Sequence, residues 1–217
     1  MPWHKRTFDI VVSSIAIVLA LPLMAIIALA VKLTSRGPAL HWSRRVGHQN
    51  RVFSMPKFRS MQTDAPQITT HLFVDPSRFL TPIGGFLRYW SMDELPQLFS
   101  ILMGDLSLVG PRPALFNQYD LAALRTGRNL HLLVPGLTGW AQVNGRNDLS
   151  VTEKVQFDAE YARRRSFGFD LRILFCTIPL VITGKGASHL HGFGAGSPNA
   201  ARPIRGSTRA EKHLSSF

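Results

Sequence analysis

The sequence predicts an α+β, mainly helical protein in which an amino-terminal re-entrant membrane helix precedes a compact cytosolic domain with a small β-hairpin and interfacial helices. Three observations lead to this prediction. Residues 10–31 form an uncharged apolar run, residues 39–61 alternate loosely like strands, and helix-like segments broken by glycine and proline follow from residue 81. The predicted organisation is a membrane helix at 1–34, a folded domain at 35–185 and a disordered tail at 186–217.

The charge of the chain restricts the class of partner. Its 217 residues include 25 Lys and Arg against 13 Asp and Glu, a formal net charge of +12, which predicts an anionic partner. Residues 1–60 contain nine basic residues and one acid, Asp9, around the uncharged run. A nucleic-acid binder does not need such a run, so we expect anionic membrane lipids and no nucleic acid. The single cysteine, Cys176, excludes an internal disulfide and fits a reducing compartment.

The uncharged run would form a helix of about 33 Å, long enough to cross a bilayer. A single transmembrane span is therefore an alternative, whereas a cleaved signal peptide would be shorter and would end at small residues. Both flanks of the run are basic, and positive residues prefer the cytoplasmic side. Pro22 removes a helical hydrogen bond in mid-segment and favours a bend. We therefore predict a re-entrant helix, kinked at Pro22, on the cytoplasmic face of the inner membrane.

The remaining segments are read from their turn residues and length. A hairpin is predicted around residues 47–50, and residues 134–146 are rich in glycine and proline, as in a loop. Residues 151–165 have helical spacing with a charged face. The apolar segment 169–182 is too short to span a membrane, so it is either a core helix or an interfacial one.

Two adjacent acids, Asp93 and Glu94, have a structural and a functional interpretation. The string from Ser91 to Glu94 matches the capping box Ser-x-x-Glu, and acids in a first helical turn are stabilised by the helix dipole. The functional interpretation is a nucleophile beside a metal or orienting ligand. Because consecutive helical residues face different ways, the two acids would then have distinct roles.

Basic side chains around these acids favour the functional interpretation. Arg112 lies between two prolines, which hold its backbone extended and stiff. Lys57 and Arg59 flank Phe58 and would project to one side of a strand, and Arg88 precedes the acids. Arginine forks match the paired oxygens of a diphosphate. For each basic residue alone, a solvated surface charge remains the alternative.

Several motifs in order resemble the bacterial sugar transferase family, the small monotopic phosphoglycosyl transferases that start lipid-linked glycan synthesis. They are FSMPKFRSM, LTPIGGFLRYWSMDELPQL, GDLSLVGPRP and VPGLTGWAQVNGR, and the resemblance covers about residues 5–183. The family breaks its re-entrant helix at Ser-Pro. This chain has Leu21-Pro22 there, so the kink depends on the proline alone.

The resemblance implies transfer of a sugar-1-phosphate from a nucleotide sugar, expected to be a UDP-sugar, to polyprenyl (undecaprenyl) phosphate. It implies that Asp93 is the nucleophile of an aspartyl-phosphosugar intermediate and that Glu94 is its catalytic partner, the two acids also holding Mg²⁺. It further implies a catalytic domain at 35–185 with six substrate-binding residues, namely Lys57, Arg59, Arg88, Arg112, Gln142 and Arg146. A non-catalytic membrane scaffold of glycan assembly is the alternative function, and an oligomer is compatible with the sequence.

Overall fold

The computed structural model describes residues 1–66, 76–145 and 149–183, and it is mainly helical with a small sheet, as predicted. The helices are α1 (Trp3–Thr34), α2 (Gly84–Tyr89), α3 (Gln97–Met103), α4 (Tyr119–Thr126), α5 (Trp140–Val143), α6 (Val151–Arg164) and α7 (Phe167–Ile182). The strands are β1 (Leu40–Val46), β2 (Val52–Phe58), β3 (Ser107–Val109), β4 (Ala114–Leu115) and β5 (Gly136–Thr138). Short 3₁₀ turns occupy His48–Asn50, Pro76–Phe79, Met92–Glu94 and Leu130–Leu132. The predicted tail and Arg146 lie outside the described residues.

The strands form two small sheets. In the first, the order is β2-β1-β4 and every pairing is antiparallel, with Leu40 opposite Phe58 and Arg45 opposite Leu115. The predicted hairpin around residues 47–50 is confirmed, and its turn uses left-handed backbone at Gln49 (φ 55°). The second sheet pairs β3 with β5 in parallel. Because β3 leads directly into residues 110–113, this pairing fixes where that segment begins.

Helix α1 packs against the folded domain along much of its length, since Ala16, Ile17 and Ala20 in its middle are partly buried against the same apolar clusters as its ends. Its buried side chains fall into two groups, Lys5, Asp9 and Ser13 near one end and Met24, Ile27 and Val31 near the other. No residue of 14–23 is buried, and large apolar side chains there are exposed, including Val18 (71%) and Leu19 (75%). The helix runs without interruption through Pro22. It is long and apolar enough to cross a membrane.

A buried polar network attaches the first turns of α1 to the carboxyl-terminal part of the domain. The Lys5 ammonium lies 2.6 Å from Asp170 on α7, and the Tyr161 hydroxyl donates to the same carboxylate at 2.8 Å. Asp9 accepts a hydrogen bond of 3.3 Å from the Leu108 amide in β3. All four charged or phenolic side chains are nearly inaccessible to water. Through these contacts the network holds α1, α6, α7 and β3 together.

Helix α7 is both a core helix and a helix with an exposed apolar face. Phe169 and Ile173 are buried in the main apolar cluster, which also receives side chains from α3 and α6. The opposite side exposes Phe175 (70%), Ile178 (52%) and Ile182 (63%). The two predictions for this segment are therefore compatible, because one face packs inward and the other is available to an apolar surface.

Candidate active site

The two acids lie in the short 3₁₀ turn Met92–Glu94, between α2 and α3. Ser91, which precedes the turn, has left-handed backbone (φ 54°) and its side chain makes no capping hydrogen bond. The capping-box interpretation is therefore wrong. Pro96 sits at the start of α3, where its missing N–H removes no helical hydrogen bond. The site thus lies at the entry to a helix whose Leu98 and Ile101 are anchored in the core.

Glu94 is held by two cations that come from different parts of the chain. Lys57, in β2, places its ammonium 2.8 Å from Glu94 Oε1. Arg112, from the segment between β3 and β4, donates to the same oxygen and lies 3.5 Å from Oε2 through Nη1. The Glu94 side chain is only 13% exposed. Charge-assisted hydrogen bonds of this kind are stronger than a local cap, which explains why Glu94 turns away from Ser91.

Asp93 has a different environment, although it is the adjacent residue. It is 7% exposed, and among the described residues no hydrogen-bond donor contacts its carboxylate. Burial raises the pKa of Asp93, and the Glu94 charge acts in the same direction, while the Lys57, Arg88 and Arg112 charges lower it. Asp93 is thus a poorly solvated carboxylate among cations. A carboxylate that no donor engages retains its lone pairs for attack.

The segment 111–113 carries Arg112, and its backbone carbonyls accept hydrogen bonds from three other elements. Proline has no N–H, so the segment has few donors of its own. The carbonyl of the first proline accepts from the Gly136 amide at 2.9 Å, and that of Arg112 accepts from Arg125 Nη1 at 2.8 Å. The carbonyl of the second proline accepts from Arg45 Nη1 at 3.3 Å. Three separate elements therefore fix the backbone that carries the Arg112 guanidinium.

Glycines allow β3 and β5 to approach closely behind this segment. A Cβ on Gly136 would lie 2.0 Å from the Gly110 nitrogen, and one on Gly139 would lie 2.1 Å from the Gly110 oxygen. Any side chain there would separate the strands.

Gln142, in the short helix α5, is 9% exposed, and neither its amide oxygen nor its amide nitrogen has a partner in the described part of the chain. A buried amide with no partner is costly for folding and is available to a ligand.

The structure separates the predicted pair Lys57 and Arg59. Lys57 contacts Glu94, whereas the Arg59 guanidinium donates to the carbonyls of Pro38, Arg36 and Ser35 at 2.7, 2.7 and 3.0 Å. Arg59 is 5% exposed and fastens the chain where it leaves α1. Of the predicted basic residues that the structure describes, Lys57, Arg88 and Arg112 act on the acids and Arg59 lies elsewhere. Arg146 is outside the described residues.

Arg45 also lies at the site, although it was not among the residues predicted from the sequence. Burial lowers the pKa of Arg45 to about 10, and the nearby Arg112 charge acts in the same direction, although Glu94 opposes the shift. Four cations (Arg45, Lys57, Arg88, Arg112) therefore surround two carboxylates. Arg45 lies two residues after the buried Ser43 on β1, so the two residues face the same side of the strand. An excess of positive charge around these two acids suits an anionic ligand.

The carboxylates suit Mg²⁺ that arrives with a substrate. Mg²⁺ is commonly held by one or two carboxylates, water and substrate phosphates rather than by a complete protein cage. Asp93 and Glu94 supply two carboxylates, and within the described ranges no group of three or more His, Cys, Asp or Glu side chains could hold a metal alone. The donor set therefore fits Mg²⁺ bound together with a diphosphate.

Comparison with known proteins identifies the family of this chain. The family model described as "Bacterial sugar transferase" matches residues 2–184, nearly all of the described chain. The chain belongs to the bacterial sugar transferase family. Its acids, Asp93 and Glu94, and its Pro-Arg-Pro segment all lie within the matched range, and the sugar transferase is thereby an enzyme of the phosphoglycosyl transferase class.

Three relatives illustrate the range of the bacterial sugar transferase family. The chain is 36% identical over 201 residues to "Exopolysaccharide production protein ExoY" of Rhizobium meliloti (strain 1021), covering 84% of this chain and 87% of the relative. It is 40% identical over 203 residues to "Undecaprenyl-phosphate glucose phosphotransferase" of Komagataeibacter xylinus, covering 85% and 37%. It is 41% identical over 182 residues to "UDP-glucose:undecaprenyl-phosphate glucose-1-phosphate transferase" of Escherichia coli (strain K12), covering 80% and 39%. The sugar transferase thus spans less than half of the last two proteins.

Proposed function

We propose that this sugar transferase moves a hexose-1-phosphate from a UDP-hexose to undecaprenyl phosphate, through a covalent intermediate on Asp93, as the first membrane step of surface glycan synthesis. The names of the Komagataeibacter xylinus and Escherichia coli relatives support the lipid acceptor, and the latter supports the UDP donor. The observation that carries the proposal is the contrast between the two acids. Glu94 is bound by Lys57 and Arg112, whereas the buried Asp93 carboxylate receives no hydrogen bond from the described residues.

The reaction has two displacements at one phosphorus atom. An Asp93 carboxylate oxygen attacks the phosphorus that bears the sugar, and the bond from that phosphorus to the bridging oxygen breaks. The nucleoside monophosphate leaves with the electron pair. A phosphate oxygen of the lipid then attacks the same phosphorus and displaces the Asp93 carboxylate, which restores the enzyme. Lys57, Arg88 and Arg112 offset the negative charge of both substrates, which is most of what phosphoryl transfer requires.

Glu94 acts by holding the cations in place. Through one oxygen it contacts both Lys57 and Arg112, so it fixes these two positive groups next to the nucleophile. Asp93 and Glu94 are the residues that would hold Mg²⁺, which when bound supplies further positive charge to the diphosphate. Gln142 supplies a buried amide for the substrate.

A single-turnover experiment tests the covalent intermediate. The enzyme with Mg²⁺ and a UDP-hexose, but without lipid acceptor, should release about one UMP per active site and retain the phosphosugar. Asp93→Asn should abolish both signals. Because burial raises the Asp93 pKa, ionised Asp93 lowers stability above that pKa, so the uncharged variant should melt at the same temperature or higher.

Continued UMP release by Asp93→Asn would contradict the nucleophile assignment. No UMP release by the wild-type enzyme from UDP-glucose, UDP-galactose or UDP-N-acetylhexosamines would favour the scaffold alternative. A panel of these donors also identifies the sugar. The matched control is Asp105→Asn, a carboxylate in the loop that follows α3.

We also propose that the sugar transferase is monotopic, with α1 re-entrant from the cytoplasmic face of the inner membrane. Both buried groups on α1 pack against one folded domain, and only residues 14–23 between them lack buried side chains. Basic residues on both flanks favour the cytoplasmic side, near anionic lipids. The exposed apolar face of α7 would contact the same surface.

Cysteine labelling tests this topology. In a Cys176→Ser background, Pro2→Cys and Ser35→Cys should both react with a membrane-impermeant reagent only from the cytoplasmic side. Labelling of the Pro2→Cys protein from the periplasm would instead indicate a single span. The background substitution is needed because Cys176 is exposed.

A further inference from the structure

The backbone carbonyl of Arg112 accepts a hydrogen bond from a side chain whose role the proposed reaction does not explain. The Arg112 guanidinium reaches Glu94, while its own carbonyl accepts a hydrogen bond of 2.8 Å from Arg125 Nη1. The adjacent prolines leave this segment with few donors with which to fix itself. The direction of the Arg112 side chain therefore depends on how the backbone of the segment is held, and Arg125 is the residue that holds the Arg112 carbonyl.

Arg125 is itself locked in one orientation. It lies on α4, and its Nε and Nη2 both donate to Asp158 Oδ2, at 2.9 and 2.7 Å. The side chains are 11% and 2% exposed. Since the guanidinium is planar, fixing two nitrogens against Asp158 directs the third at the Arg112 carbonyl. A lysine has no such fork and cannot hold both partners in fixed directions.

The buried pair is not required merely to join α4 to α6. These helices already share an apolar cluster that includes Leu121, Leu130 and Val155. A buried ion pair contributes little net stability compared with apolar side chains of similar volume. What an apolar replacement would lose here is the hydrogen bond to the Arg112 carbonyl. The feature that distinguishes the pair is therefore its contact with the active-site segment.

We infer that Arg125, oriented by Asp158, is a positioning residue that sets the Arg112 guanidinium against Glu94. This inference rests on the proposed function for the role of the cation cluster, and it extends that function to two residues on α4 and α6. Neither Arg125 nor Asp158 contacts Asp93 or Glu94, so Arg125 acts only through the peptide of Arg112.

A double-mutant cycle tests this coupling in the full-length enzyme. Arg125→Lys is measured in the wild-type and the Arg112→Lys backgrounds, with UMP release in the presence of lipid acceptor as the readout. We expect Arg125→Lys to lower kcat about tenfold in the wild type and less than about twofold in Arg112→Lys, because the second background has already lost the fork that Arg125 positions. Asp158→Asn should repeat this pattern and serves if Arg125→Lys does not fold.

Val155→Ala is the matched control. It removes a buried side chain from the same α4–α6 contact, so it should lower stability without coupling to Arg112. Its kcat should change less than about twofold in both backgrounds. An equal loss from Arg125→Lys in both backgrounds would overturn the inference, as would equal behaviour of Arg125→Lys and Val155→Ala. An active Asp93→Asn enzyme would instead contradict the proposed nucleophile and leave this coupling measurable.

Discussion

Two stretches of this chain, residues 91–94 and 150–153, share the pattern Ser-x-x-Glu but have different structures. At the start of α6, Ser150 accepts from the Glu153 amide at 3.3 Å, and the Glu153 carboxylate accepts from the Ser150 amide at 2.8 Å. This is a complete capping box. In the first stretch, Ser91 has left-handed backbone and Glu94 contacts cations on other elements.

The difference shows when a local pattern is overridden. Glu153 is exposed, and its cap lowers the Glu153 pKa through hydrogen bonds from Ser150. Glu94 is buried between Lys57 and Arg112. A cap is worth about 1 kcal/mol, and hydrogen bonds between charged groups are roughly twice as strong as neutral ones. The contacts of Glu94 with Lys57 and Arg112 therefore outweigh a local cap at this site. As a result, Ser91 has strained left-handed backbone, which the capping residue of a helix does not require.

The largest expected effect comes from the same substitution at the two glutamates. Glu94→Gln should lower the rate of UMP release by about 100-fold, because a neutral amide cannot balance the positive charges of Lys57 and Arg112 or hold these side chains in place. Glu153→Gln should leave the rate within about twofold, since its carboxylate serves only the cap. Steady-state UMP release measures both. Similar rates in the two variants would show that Glu94 is also a structural acid.

A smaller effect is expected from the two serines, measured as the free energy of unfolding in urea. Ser150→Ala should lose about 1 kcal/mol, because it removes a side-chain cap. Ser91→Ala should change stability much less, since its side chain makes no capping bond. Ser91→Gly should gain about 0.5 kcal/mol, because glycine adopts left-handed backbone without strain. A destabilised Ser91→Gly protein would show that φ of 54° at Ser91 is not strained.

The elements that were predicted correctly from the sequence are those determined by residues close together in the chain. The uncharged run and the turn at 47–50 depend on neighbours within a few residues, and the structure has both of them. Lys57 and Arg112, two basic residues that the sequence predicted near the acids, contact Glu94. The capping box was wrong because Glu94 has partners 37 and 18 residues away.

Other site features left no pattern that a single sequence could reveal. Arg59 binds carbonyls 21 to 24 residues earlier, and Arg125 binds an acid 33 residues later. Nothing in the type or spacing of these arginines distinguishes them from surface charges. The contact between Arg125 and Asp158, for example, exists only when α4 packs on α6. Such residues can be assigned only after the helices are placed.

The salt bridge between Lys5 and Asp170 joins residues 165 positions apart, so it also sets an order of events during synthesis. At 5–20 residues per second, a ribosome needs roughly 10 to 30 s to reach Asp170 after Lys5 has been made. During that interval the apolar side chains of α1 have no finished domain to cover them. In the proposed topology the bilayer is then the available apolar phase, so the nascent chain would meet the membrane before its active site exists.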